Sequence, residues 1–322
     1  MGYTRKPLRG FRKFAKVFWD DPSDGTIYGS TQVDVTVARR FQEDVRDKHG
    51  VYPSMAQLVG RGVAVALTET PDFNAKLMWG RTYVKDTVDV YFQVDVDDGA
   101  DLSGVTVADA GRKTAVQVSQ ELTAYAERLR KGKDEQYEKT QKGLLGRMIP
   151  VFLLRLVLKM LLFCEYNLGW TPRFLGARPE PFGTVMITNV SKFGIDIAYA
   201  PLIKLSRVPF IVLVGQVRDR AWVVDGGRIE PRPIITLNAS FDHRMGDGNK
   251  IGRIVRRVVA YIENPYEYEP GLGLTPPPGL VAASGRQEPA PAPPPPRSPD
   301  TASAPRPAPA GDGPPAVPSF KR

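Results

Sequence analysis

Two imidazoles, His49 and His243, are the side chains of this sequence whose ordinary titration lies near neutral pH. His49 closes a charged stretch, RRFQEDVRDKHG, beside Gly50. That is the setting of a solvated residue at a helix C-terminus, where a basic group complements the helix dipole. His243 is set differently. It lies in Phe241-Asp242-His243-Arg244-Met245-Gly246-Asp247-Gly248, between the β-forming run ITLNAS and a helix-forming run. A strand end that feeds a glycine-bearing turn can aim a side chain into a cleft. An imidazole aimed there can act as a general base. A hydrogen-bonded histidine in a structural turn fits the same residues, and spacing alone leaves both readings open. Cys164 is the one cysteine, which excludes an intramolecular disulfide and any cysteine-based metal cluster. Its apolar surroundings, LLFCEY, read as those of a buried apolar residue.

The elements around His243 follow from period and punctuation. Lys6 to Phe18 alternates basic and apolar residues and reads as a short helix, followed by a turn over Asp20 to Gly25. Tyr28 to Val37 alternates with period two, a strand. ARRFQEDVRDKHG reads as a helix closed by Gly50, and Ser54 as the N-cap of a second helix that runs until Pro71. Thr87 to Val96 is a strand, and TAVQVSQELTAYAERLRKGKDEQYEKTQK a long polar-faced helix. Gly183 to Val190 and Pro209 to Val217 read as buried strands. Asp225-Gly226-Gly227 between two β runs signals a hairpin. NKIGRIVRRVVAYIENP is an amphipathic helix. The strands do not alternate regularly with helices, so the pattern predicts an α/β (α+β) two-layer sandwich with a mixed sheet.

Composition divides the chain. Pro276 to Pro318 is mostly Pro, Ala, Gly and Ser and cannot bury enough surface to order itself. The expected organisation is one catalytic domain over 1–269, an apolar and basic insertion over about 144–180, and a disordered Pro/Ala-rich tail over 270–322. The N-terminus has charge but no apolar core of a secretory signal, and Lys6 stands where a myristoylation signal needs Ser or Thr. With the lone cysteine, this predicts a cytoplasmic protein. The net charge of +9 has no nucleic-acid motif behind it, so no nucleic-acid partner is expected. No metal is expected.

FDHRMGDG resembles the DHRxxDG signature of the dihydrolipoamide acyltransferases of 2-oxo acid dehydrogenase complexes, shared in looser form with chloramphenicol acetyltransferases. PLRGFRKFAK resembles that family's opening helix. STQVDVTVARRFQEDVRDKHGVYPSMAQLVGRGVAVALTETPDFNAKL resembles its first strand and two helices in order. GTVMITNVSKFGI resembles the strand carrying its second functional residue, and VVDGGRIEPRPIITLNASFDHR its long hairpin into the active site. The resemblance covers roughly Pro7 to Pro265, with one interruption.

It implies a chloramphenicol acetyltransferase-like fold and an acyltransferase. A thiol of coenzyme A or dihydrolipoamide attacks an acyl thioester. His243 matches the family's base, and an imidazole suits deprotonation of a thiol. Thr188 matches the hydroxyl that donates to the oxyanion. Asp247 matches the signature aspartate, read as holding the loop by an ion pair, with Arg12 as a candidate partner. Asp242 and Arg244 read as structural. The resemblance further implies a homotrimer whose sites lie between subunits, base and donor coming from different chains.

Three features depart from the family. The sequence holds no Asp-Lys-Ala lipoylation site, so a lipoyl group is expected to arrive on another protein, or the acyl group as a coenzyme A thioester. Asp97 to Val107 (DDGADLSGVTV) replaces the family's GLxVPV-like stretch. The insertion centres on RMIPVFLLRLVLKMLLFCEY, whose neighbourhood carries Lys142, Arg147, Arg155, Lys159, Arg173 and Arg178 against Glu165 and Glu180. It is short for a span and holds charges near its middle. It reads as an interfacial helix giving peripheral membrane contact through 147–166, as a surface packed on a subunit or partner, or as a core helix. A non-catalytic trimeric scaffold, or a membrane-associated interaction protein that kept the fold, is the alternative to the enzyme.

Overall fold

The computed structural model describes residues 25–78, 81–96, 101–130, 151–168, 170, 181–203, 206–246 and 248–280. The expected opening helix, Arg12, Asp247 and the bulk of the tail lie outside them.

Strand β1 (Thr26–Asp34) leads into helix α1 (Thr36–His49). The Asp34 carboxylate turns the chain by accepting from the Thr36 N–H at 2.8 Å and its hydroxyl at 2.5 Å. Val37, Ala38, Phe41 and Val45 form the buried stripe of α1. Gly50 ends it in the left-handed region, as expected. Helix α2 (Met55–Glu69) opens with a capping box, Ser54 and Gln57 each bonding the other's backbone. A small hairpin, β2 (Ala75–Met78) and β3 (Arg81–Val84), follows. Then come β4 (Val90–Val96), β5 (Asp101–Val107), α3 (Ala115–Arg130), α4 (Val151–Leu168), β6 (Val185–Asn189), β7 (Phe210–Val214), β8 (Arg218–Val223), β9 (Ile229–Asp242), α5 (Gly248–Glu263) and α6 (Pro265–Tyr268).

Seven strands form one mixed sheet in the order β1-β9-β7-β6-β4-β5, with β8 paired to β9 beyond it. β4, β6 and β7 are parallel; the other pairings are antiparallel. The helices cover one face. There Leu58, Val63, Ile254 and Val258 meet Val185, Ile187, Val212 and Leu237 in one continuous core. The opposite face carries a smaller cluster, Met186, Val208, Ile211 and Leu213, with Ala198, Ala200 and Leu202 of an irregular segment against it. The result is the two-layer sandwich with a mixed sheet that the pattern predicts.

Three expectations change. Asp101–Val107 is an edge strand of the main sheet, where the sequence pattern predicts none, because the Gly and Asp residues before it mask its alternation. Packing continues past 269: Leu272 is buried and Leu274 and Leu280 touch the core. Glu269 anchors this stretch by a buried ion pair with Arg61 at 2.8 Å, accepting also from the Tyr261 hydroxyl and the Ala115 N–H. Cys164 is partly exposed and not buried, because α4 presents much of its surface to solvent.

Candidate active site

His243 stands one residue beyond the end of β9. Its N–H donates to the Gly25 carbonyl at 2.7 Å, and the Asp242 N–H to that of Pro209 at 2.9 Å. The turn is thus tied to the strands on both sides of β9. Asp242 and Arg244 pair with each other. The Arg244 N–H and Nε reach Oδ1 at 3.0 and 2.9 Å, and Nη2 reaches Oδ2 at 2.6 Å. Burial works to raise the Asp242 carboxyl, but these hydrogen bonds and the charges of Arg244 and His243 outweigh it and hold it below the usual value of 3.8.

Gly246 closes the turn against Phe73. A Cβ here would lie 2.3 Å from Phe73 Cζ, so only glycine lets the loop approach this closely. Phe73 packs at a tilt against Phe210, and Phe210 edge-to-face against Phe241, with ring centroids 5.6 and 5.5 Å apart. The loop therefore rests on an aromatic column instead of being held by its own bonds alone. The His243 ring itself is exposed and makes no hydrogen bond among the described residues.

Thr188 lies near the C-terminal end of β6, half-buried in mid-sheet. Alternation puts it with Met186 on the face away from the helices. The strand is set at its start. Gly183, at φ 57°, lets the Thr184 N–H reach the Asp89 carbonyl at 2.8 Å. The Thr184 hydroxyl donates to Asn74 Oδ1 at 2.9 Å. For Asp89, burial alone would raise the carboxyl; the Asp109 N–H and the Lys85 ammonium reverse this and lower it. The Thr188 hydroxyl has no hydrogen-bond partner among the described residues.

The structure does not bring Thr188 and His243 together within one chain. Thr188 is level with Leu213 of β7, and Leu213 with Asn238 of β9. His243 is five residues beyond Asn238, toward the opposite end of the sheet. At ~3.4 Å per residue and ~4.8 Å per strand, the two side chains are roughly 20 Å apart. His49 lies elsewhere, its Nε2 3.2 Å from the Leu272 carbonyl at the end of α1. No group of His, Cys, Asp and Glu suited to a metal occurs among the described residues.

The family model described as "2-oxoacid dehydrogenases acyltransferase (catalytic domain)" matches residues 3–143 and 182–269. The lipoamide acyltransferase component of the branched-chain alpha-keto acid dehydrogenase complex of Bacillus subtilis is 23% identical over 237 residues, 72% of this chain and 45% of that protein. The succinyltransferase component of the 2-oxoglutarate dehydrogenase complex of Bartonella vinsonii is 24% identical, over 70% of this chain and 44% of that one. The chain thus spans less than half the length of these curated relatives. Among solved structures, a probable dihydrolipoamide acetyltransferase from Listeria monocytogenes superposes with a TM-score of 0.55 at 18% identity, covering 81% of this chain and 95% of that one. Azotobacter vinelandii dihydrolipoamide acetyltransferase, whose catalytic mechanism was investigated through a serine, a histidine and an asparagine, gives 0.54 at 20% identity, covering 78% and 85%. The sandwich, the order of its elements and the residues matched make this chain a member of the 2-oxoacid dehydrogenase acyltransferase catalytic-domain family.

Proposed function

We propose that this chain transfers an acyl group between a coenzyme A or lipoyl thioester and a thiol, in sites built by two copies of the chain. His243 of one copy is the general base and Thr188 of the other the oxyanion donor. The observation that carries this is the separation of roughly 20 Å between two side chains that each lack a hydrogen-bond partner among the described residues. One acyl group cannot touch both in a single chain. Two copies related by a rotation can supply one each. Exposed Phe193, Ile195, Ile197 and Ile203 stand on the segment over the Thr188 face and suit burial in such an assembly, which we take to be a homotrimer.

The incoming thiol gives its proton to the His243 imidazole as its sulfur bonds to the carbonyl carbon. The carbonyl π pair moves onto oxygen, where the Thr188 hydroxyl donates to the oxyanion. Collapse breaks the old carbon–sulfur bond, and the leaving thiolate takes the proton from the imidazolium. Asp247 is assigned to positioning the loop and not to moving protons. It stands four positions after His243, the spacing of the histidine and asparagine named for the Azotobacter enzyme.

The test offers acetyl, succinyl and branched-chain coenzyme A thioesters with dihydrolipoamide as acceptor. Free coenzyme A and S-acyldihydrolipoamide are quantified by chromatography. Formation of both in equal amounts supports the reading and names the acyl group. No transfer from any thioester by a folded oligomer refutes it and leaves a non-catalytic scaffold.

A further inference from the structure

Helix α4 lies in a stretch that the family match leaves out, between residues 143 and 182. The fold shared with the family therefore does not require it. Its surface is unlike that of the other helices. Leu153, Leu156, Val157, Met160, Phe163 and Leu168 are all exposed, Met160 and Leu168 by 61% each. At 3.6 residues per turn they fall within an arc of about 140°. Lys159 is exposed at one edge of this arc, and Glu165, the helix's one carboxylate, lies outside it. Trp170, just beyond the last turn, is also exposed, its N–H donating to the Cys164 carbonyl. The last turn is tied to the body: Arg207 reaches Asn167, a position inside this arc, at Oδ1 at 2.5 Å and approaches the Leu77 carbonyl at 3.5 Å. No described helix is long and apolar enough to cross a membrane.

We infer that the exposed face of α4 docks on the surface of an anionic lipid bilayer, lying in the interface plane. An apolar arc edged by a cation, with a tryptophan at its end, has the chemistry of that boundary: alkyl chains below, phosphates at the edge, an indole at headgroup depth. The flanking sequence carries the same sign, with Lys142, Arg147, Arg155, Lys159, Arg173 and Arg178 against Glu165 and Glu180 between residues 141 and 180. A protein partner would account for the apolar arc but gives no reason for that excess of cations. An anionic surface accounts for both. The inference deepens the proposed function by placing the acyl transfer at a membrane, without depending on which acyl group moves.

Cys164 lies within the apolar arc and is the chain's only cysteine, so a polarity-sensitive fluorophore can be attached there without mutation. The labelled full chain is mixed with vesicles of phosphatidylcholine alone, and with vesicles in which about one lipid in three is phosphatidylserine. Blue-shifted emission and co-sedimentation with the anionic vesicles only, weakening as salt rises, is the expected result. M160E/F163E abolishes it, and Lys159→Glu lowers partitioning by at least about tenfold. A probe already shielded without vesicles and unchanged by them overturns the inference in favour of a second copy or other protein on this face. A solvated probe with no vesicle binding overturns it outright. Transfer from coenzyme A thioesters to soluble dihydrolipoamide is measured in the same samples. It stays unchanged in M160E/F163E, so loss of lipid binding and failure of the acyltransferase reading are told apart.

Discussion

The roughly 20 Å between Thr188 and His243 has a consequence for mixed assemblies. A tetrahedral intermediate needs donor and base within hydrogen-bond reach, about 3 Å, of adjacent atoms. On the proposed mechanism, each interface of a cyclic assembly takes Thr188 from one copy and His243 from its neighbour. Alone, Thr188→Ala loses about 10²–10³ in kcat, and His243→Ala about 10²–10⁴. Co-refolded in equal amounts, the two chains assort at random. An interface works when its histidine comes from a Thr188→Ala copy and its threonine from a His243→Ala copy. Half times half gives about one quarter of all interfaces. The mixture should recover about a quarter of wild-type activity, at least about 25-fold above the better parent. The assay is coenzyme A release under saturating substrate across a series of mixing ratios, with a maximum at equal amounts. If one chain supplied both groups, every chain in the mixture would be defective and activity would stay at parental level at all ratios. That flat result would refute the two-chain site.

Other consequences follow from the packing. Gly246→Ala places a methyl against Phe73 and should lower kcat by about tenfold or more, while Phe73→Leu in the same chain restores part of it; equal rates in G246A and wild type would show that the loop does not rest on this ring. Arg61→Ala leaves Glu269 buried without its cation and should cost about 3–5 kcal/mol in urea unfolding, most of it recovered by R61M/E269L. Asp89 and Asp242 have folded pKa values below the ordinary 3.8. Their contribution to stability is therefore present above about pH 4 and lost as pH falls through the folded values. Asp89→Asn should flatten the acid limb of the unfolding curve, and an unchanged limb would count against these bonds.

The sandwich could be read from the sequence because its elements have clean periods and caps. Gly50 and the Ser54–Gln57 box mark their helices by local chemistry that the fold keeps. β5 was missed because Gly104 and the preceding Asp-Asp-Gly break its pattern, and its strand state depends on pairing with β4. β2 and β3 are four residues each, too short for alternation to show. His243 was found by its type and its place after a strand. Thr188 was not visible that way: a β-branched residue in a strand is ordinary, and only family resemblance singled it out. Its distance from His243 could not be read before the strand order was known. Gly246 stands at an unspecified position inside the recognised motif, and its reason, the ring of Phe73, is a contact across 173 positions. The exposure of α4 likewise follows from what the fold leaves uncovered and not from its composition, which a buried helix would share.

The most direct test of the account is the rate of acyl transfer from coenzyme A thioester to dihydrolipoamide by wild type and His243→Ala, each shown to be folded and equally assembled. The account predicts a fall in kcat of about 10²–10⁴ with little change in KM, because the base acts in the transition state and not in binding. A His243→Ala protein within about threefold of wild type would contradict it.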